Sequence, residues 1–256
     1  MRNWTIAIAP LALAMTAAGC SGKDSAAADR NGTDGAPTAA PADTSPAGTR
    51  DFALTGFAGV EVAGPDDVNI RRGDAFSIQA RGPQAELDTL DVRVDGQTLY
   101  IGRKREGFSL GGRHKGVEFT ITLPALRAVK LTGSGSIEAD RVDGDKVDAA
   151  VTGSGDLKIG TLTAKAVDMR VSGSGDIEID GGSVDNADIG VTGSGDVDAD
   201  GLTINAVDIS ITGSGSVDAR ATGKADIGIM GSGDVTLTGG ATCSTRKVGS
   251  GTITCQ

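Results

Sequence analysis

Seven serines, Ser134, Ser154, Ser174, Ser194, Ser214, Ser232 and Ser250, each stand between two glycines, a setting that invites a test for nucleophilic chemistry. The neighbours fail the test. The motif is Gly-Ser-Gly, without the Gly-x-Ser-x-Gly elbow and its downstream acid and histidine, and the single histidine, His114, lies upstream. Seven equivalent candidates fit a structural ladder of hydroxyls better than one catalytic serine. The glycines form no phosphate loop either, because no Lys-Ser/Thr follows them and no helix is expected after them. No catalytic residue is assigned, and the chain is expected not to be an enzyme.

Carboxylates recur in step with the serines. Asp148, Asp168, Asp188, Asp208 and Asp226 each precede a Gly-Ser-Gly by five residues, and Asp156, Asp176, Asp196 and Asp234 directly follow one. Stacked about 4.8 Å apart, like charges repel by about 1 kcal/mol per neighbour in water. Solvent and nearby backbone N–H groups can relieve this, since Asp is at home beside glycine turns. Bridging divalent cations, Ca²⁺ above all, are the sharper alternative. Single carboxylates supply few oxygens, and "GSGD" does not fit the Gly-Gly-x-Gly-x-Asp calcium repeat, so no cofactor is expected.

The loop "GRKREGFSLGGRHKG" concentrates Arg103, Lys104, Arg105, Arg113 and Lys115 against one acid, Glu106, in a chain of net charge -10. An anionic partner, such as a lipid headgroup or an acidic glycan, could dock there. A solvated hairpin loop is the plainer reading. Net charge and export together exclude nucleic acid as a partner.

These residues need a scaffold that repeats. Gly-Ser-Gly begins at Gly133, Gly153, Gly173, Gly193, Gly213, Gly231 and Gly249, a period of twenty shortening to eighteen. Two residues before it stand Leu131, Val151, Val171, Val191, Ile211 and Ile229; four before it, Val129, Ala149, Met169, Ile189, Ile209 and Ile227. Beyond the corner the apolar column is Ile137, Leu157, Ile177, Val197, Val217, Val235 and Ile253. Alternation on both arms makes each repeat a strand, a corner, a second strand and a return segment. One copy cannot bury that face alone, so the copies must stack as an all-β, single-stranded parallel β-solenoid with coils of about twenty residues, right-handed by the crossover preference. Six steps make a stack about 29 Å tall.

Cys243 and Cys255 lie six residues before and after Gly249, on inward columns of opposite arms, so a disulfide is expected to close the last coil. Residues 51–130 keep the alternation without the period and hold the aromatics Phe52, Phe57, Phe76, Tyr100, Phe108 and Phe119, as suits a thicker N-terminal cap or opening coils.

Residues 1–19 read as a signal peptide, with Arg2 before an apolar run too short for a membrane span. "TAAGC" resembles the bacterial lipobox, with Ala17 where Leu is usual, and implies lipid on Cys20. That also leaves Cys243 and Cys255 as an even pair. Residues 21–50 contain no Val, Ile, Leu or aromatic residue, so 20–50 is read as a lipidated cysteine and tether, about 30 Å long as a coil. Residues 51–256 are the solenoid, irregular over 51–130 and periodic over 131–256.

The order "GFAGVEVAGPDDVNIRRGDAFSIQARG", "LDVRVDGQTLYIG", "VEFTITLPALRAVKLTGSGSIEA" and then serial Gly-Ser-Gly coils resembles the "putative auto-transporter adhesin, head GIN domain" family over essentially all of 51–256. The resemblance implies a secreted or surface-anchored β-solenoid and brings no catalytic residue set. The expected role is adhesion or surface interaction at the bacterial envelope. The lipid is expected to meet the outer membrane, by the sorting signal that Ser21 resembles, and the coils an envelope or host surface protein or an anionic glycan. The repeat faces lack aromatics, which favours protein or ionic contacts over sugar stacking. A self-associating structural protein is the main alternative, and a polysaccharide-active β-helix enzyme a third.

Overall fold

A computed structural model describes residues 47–104 and 115–256. The opening elements are β1 (Ala47–Asp51), β2 (Gly59–Gly64), β3 (Asp67–Arg72), β4 (Ser77–Pro83), α1 (Gln84–Thr89), β5 (Leu90–Asp95), β6 (Thr98–Arg103), β7 (Glu118–Leu123) and β8 (Ala128–Gly133). The repeats supply β9 (Ser136–Gly153), β10 (Asp156–Gly173), β11 (Ile177–Ile179), β12 (Gly182–Gly193), β13 (Val197–Gly213), β14 (Ser216–Gly231), β15 (Asp234–Thr238), β16 (Thr242–Gly249) and β17 (Ile253–Cys255).

From β8 onward each coil lies parallel on the one before, with like positions in register. Val151 pairs with Val171, Val171 with Val191, and Val191 with Ile211. The alternation in the sequence is the alternation of burial. Val151, Leu157, Ile177, Ile189, Ile211 and Val235 are all but inaccessible, while the residues between them face solvent. These columns form one continuous core, each side chain contributing about 1.5–3 kcal/mol by burial. The all-β solenoid expected from the repeat is the observed fold.

The opening coils depart from chain order. β2 lies between β6 and β8, and β3 between β7 and β9, so the coil made later in the chain is stacked outside the earlier one. Gly64 falls in register with Gly133, and "GPD" takes the place of "GSG". Three antiparallel strands finish this end: β5 on β6, β4 on β7, and β1 on β4. Leu87 of α1 is fully buried among them, and Phe57 packs 5.0 Å from Phe76. β1 takes up Ala47–Arg50, the last residues of the stretch read as tether. It joins by backbone pairing and buries little, which is why no hydrophobic pattern announced it.

At the other end Cys243 and Cys255 are disulfide-bonded, as their spacing predicts, with Cα atoms 6.8 Å apart. β16 and β17 pair on one side only, with β14 and β15. In β16 the inward columns change from apolar residues to Thr245 and Lys247, and Lys247 Nζ donates to the Gly251 carbonyl at 2.6 Å. Cationic and polar residues on an exposed edge discourage strand addition.

Candidate functional site

The corners are built by backbone. Gly153, Gly173, Gly193 and Gly213 have φ between 118° and 133°, and a Cβ on any of them would collide with the carbonyl of the corner glycine one coil below. The second glycines, such as Gly155 and Gly175, face the same collision without the unusual φ. Only glycine lets successive corners approach this closely. The Ser174 N–H donates to Gly153 O at 2.8 Å and that of Ser194 to Gly173 O at 2.8 Å. The ladder at the corner is thus one of main-chain N–H groups. The serine hydroxyls point to solvent, and a hydroxyl ladder, the sequence expectation, is not formed.

Behind the corner the carboxylates have structural work. Asp176 Oδ1 accepts the Asp196 N–H at 2.8 Å, Asp196 Oδ1 accepts the Ser216 N–H at 2.7 Å, and Asp234 Oδ1 accepts the Thr252 N–H at 2.6 Å. Each carboxylate satisfies a donor of the next coil, the use expected of Asp beside a glycine turn. Asp156 is exposed. In the other column Asp148, Asp168, Asp188, Asp208 and Asp226 stack in register. Lys146 lies 3.6 Å from Asp148, and Arg170 lies 2.8 Å from Asp168 and 3.6 Å from Asp188. Asp208 and Asp226 are exposed beside Ser210, Ser244 and Arg246. Among the described residues no group of three or more His, Cys, Asp or Glu is placed to hold a metal ion.

The sequence reading missed two further acidic columns on the arm after the corner, one through Glu138, Glu178, Asp198 and Asp218, the other through Asp140, Asp180 and Asp200. The signal was there in "GSGDIEID" and "GSGDVDAD", whose alternate acids all face out. Lys158 sits among them, 2.7 Å from Glu178 and 3.0 Å from Asp180, and these carboxylates raise its pKa.

Of the five basic loop residues, Arg105 and Arg113 lie outside the described residues, as does Cys20. Arg103 is turned inward and only 11% exposed. Its Nη1 and Nη2 reach Asp66 Oδ2 and Oδ1, both at 2.6 Å, and Asp66 Oδ1 also accepts the Val117 N–H at 2.9 Å. Asp66 is the one fully buried charged residue among those described. It occupies the register position of the second corner glycine. Glu86 Oε2 lies 3.8 Å from the buried Arg103 Nε, and Glu86 Oε1 accepts the Lys115 N–H at 3.0 Å. Lys104 Nζ donates to the Asp88 carbonyl at 2.8 Å. Arg103 therefore serves the buried Asp66 carboxylate from the end of β6; it is not part of an open basic patch.

A groove of about 580 Å³ runs along the return segments. One wall is the register series Asp143, Thr163, Ser183, Thr203; the other carries Asp145, Lys165, Asp185 and Asn205; Ala164 and Val184 lie between them. Lys165 pairs with Asp145 at 2.8 Å, which lowers the Asp145 pKa and raises that of Lys165. Asp143 pairs with Arg72 at 2.7 Å.

A profile of the family described as "Putative auto-transporter adhesin, head GIN domain" matches residues 56–241. Several crystal structures share the fold. One, described as a "putative adhesin" from Bacteroides fragilis NCTC 9343, is 23% identical with a TM-score of 0.71, covering 82% of this chain and 97% of that one. A "putative lipid binding protein" from Parabacteroides distasonis ATCC 8503 is 24% identical, TM-score 0.64, over 82% and 96%. A "putative adhesin" from Parabacteroides merdae ATCC 43184 is 19% identical, TM-score 0.62, over 82% and 96%. No curated protein matches the chain.

Proposed function

The chain belongs to the head GIN domain family, and from that premise we propose that it is a non-enzymatic adhesion module of the cell envelope, anchored by lipid on Cys20 and carried on the tether that follows. The observation that carries this reading is the repetition itself. Outward side chains recur rung after rung on a scaffold whose corners and core fix their spacing, so contact is distributed along the stack and not gathered at one reactive centre. The serines have glycine neighbours and no base, and Asp168, Asp176, Glu178 and Asp196 among the stacked carboxylates already hold backbone N–H groups or basic side chains. Fold alone would allow other roles, so the family and the surface must both be weighed. The polar, cationic C-terminal coil argues against end-to-end self-association.

The test is labelling of intact cells with a membrane-impermeant reagent directed at residues 51–256, together with metabolic labelling by a fatty-acid analogue. Labelling from outside that depends on Cys20 is the expected result. A domain reached only after the outer membrane is opened would remove the adhesion reading.

A further inference from the structure

We propose that the return-segment groove binds an extended, non-acidic glycan strand lying along the solenoid axis. The proposal rests on the adhesion reading and names its ligand class.

The groove offers side chains and no free main chain. Thr163 is paired on both sides, with Asp143 and Ser183, and Ser183 with Thr163 and Thr203. A peptide that binds by adding a strand needs an open edge, and stacking has used this one. What remains is hydroxyl, amide and carboxylate. The Thr163, Ser183 and Thr203 hydroxyls and the Asn205 amide have no hydrogen-bond partner among the described residues, unlike the Asp176 and Asp196 carboxylates behind the corner. Hydroxyls and amides both donate and accept, the pattern that sugar hydroxyls require.

Charge narrows the class. Asp145 pairs with Lys165 and Asp143 with Arg72, while Asp185 has only a longer-range attraction to Lys165, so the acids of the lining outnumber its one lysine. A uronate polymer would be repelled, whereas a neutral or amine-bearing one would not. The partly buried Ala164 gives the floor a small apolar contact for the C–H face of a ring, with the core residue Val184 beneath the next rung. Without aromatic stacking, each rung adds one or two neutral hydrogen bonds of about 0.5–1.5 kcal/mol. Useful affinity must therefore accumulate over several rungs about 4.8 Å apart, which a polymer of similar repeat can span. Ionic contact, the expectation drawn from the lack of aromatics, does not suit a groove whose charges are mostly internally paired.

Titration calorimetry on the full-length protein would use neutral β-1,4-glucan oligomers and chitosan oligomers of increasing length, with polygalacturonate and an uncharged extended peptide as contrasting arms. Either glucan or chitosan should bind with affinity rising with length. The combined Thr163→Val, Ser183→Ala, Thr203→Val protein should lose at least about tenfold. Thr212→Val, in the column beside the corner, should bind as the unsubstituted protein does, and all should melt alike. Absence of binding in both glycan arms, indifference to the groove substitutions, or preference for the acidic polymer or the peptide would each overturn the proposal. Surface labelling that failed while oligomers still bound would remove adhesion and leave the groove's ligand intact.

Discussion

Asp66 and Arg103, 37 residues apart, meet through two parallel hydrogen bonds of 2.6 Å, with the Asp66 side chain fully buried. The carboxylate stands where other coils have a glycine, and the guanidinium comes from the end of β6. Removing one partner leaves the other buried and uncompensated. Arg103→Met should destabilise the fold by about 3–5 kcal/mol in a urea titration. A loss below about 1 kcal/mol would mean that water replaces the pair.

At the corners, main-chain approach decides what is tolerated. Gly173→Ala combines a collision with the Gly153 carbonyl and a φ of 126° that alanine rarely adopts, and should cost well over 1 kcal/mol. Ser174→Ala, between the same glycines, should change stability by no more than about 0.5 kcal/mol. Equal effects in thermal melts would contradict a backbone ladder.

The disulfide closes a short loop, with a sequence separation of 12. Cys243→Ser with Cys255→Ser should lower stability by about 2–4 kcal/mol. Light scattering should then show some association, because fraying of β16 uncovers Ile227 and Ile229. A melt insensitive to reductant would show that the last coil contributes little.

The Asp145–Lys165 pair gives a pH effect of known sign. The Asp145 pKa is lowered by the Lys165 ammonium, first through their hydrogen bond, so its contribution is present above the ordinary Asp pKa and lost as pH falls through the folded value. Lys158, raised by Glu178 and then Asp180, behaves oppositely: its contribution is present below the ordinary lysine pKa and lost as pH rises through the folded one. In a carboxyl-detected NMR titration, Lys165→Met should move the Asp145 midpoint upward. An unmoved midpoint would dismiss the pairing.

Asp176 and Asp196 already accept N–H groups of the next coil, so chelator should leave the melting midpoint unchanged, whereas Asp176→Ala should lower stability by about 1 kcal/mol. A midpoint that drops on adding chelator would restore the calcium alternative.

The sequence by itself determined the solenoid, its register and its closing disulfide, because a period of twenty with alternate apolar residues leaves one way to bury every copy. Val151, Val171 and Val191 could be assigned to one column from spacing alone, and Cys243 and Cys255 to one coil. The tertiary structure decided what depends on contacts between distant or unpatterned segments. β2 and β3 slip between β6–β7 and β8–β9, β1 joins by backbone hydrogen bonds, and Arg103 leaves a basic run to serve Asp66. The groove belongs to this second group. Its walls are polar positions outside the hydrophobic code, and they become a surface only when five return segments stand side by side.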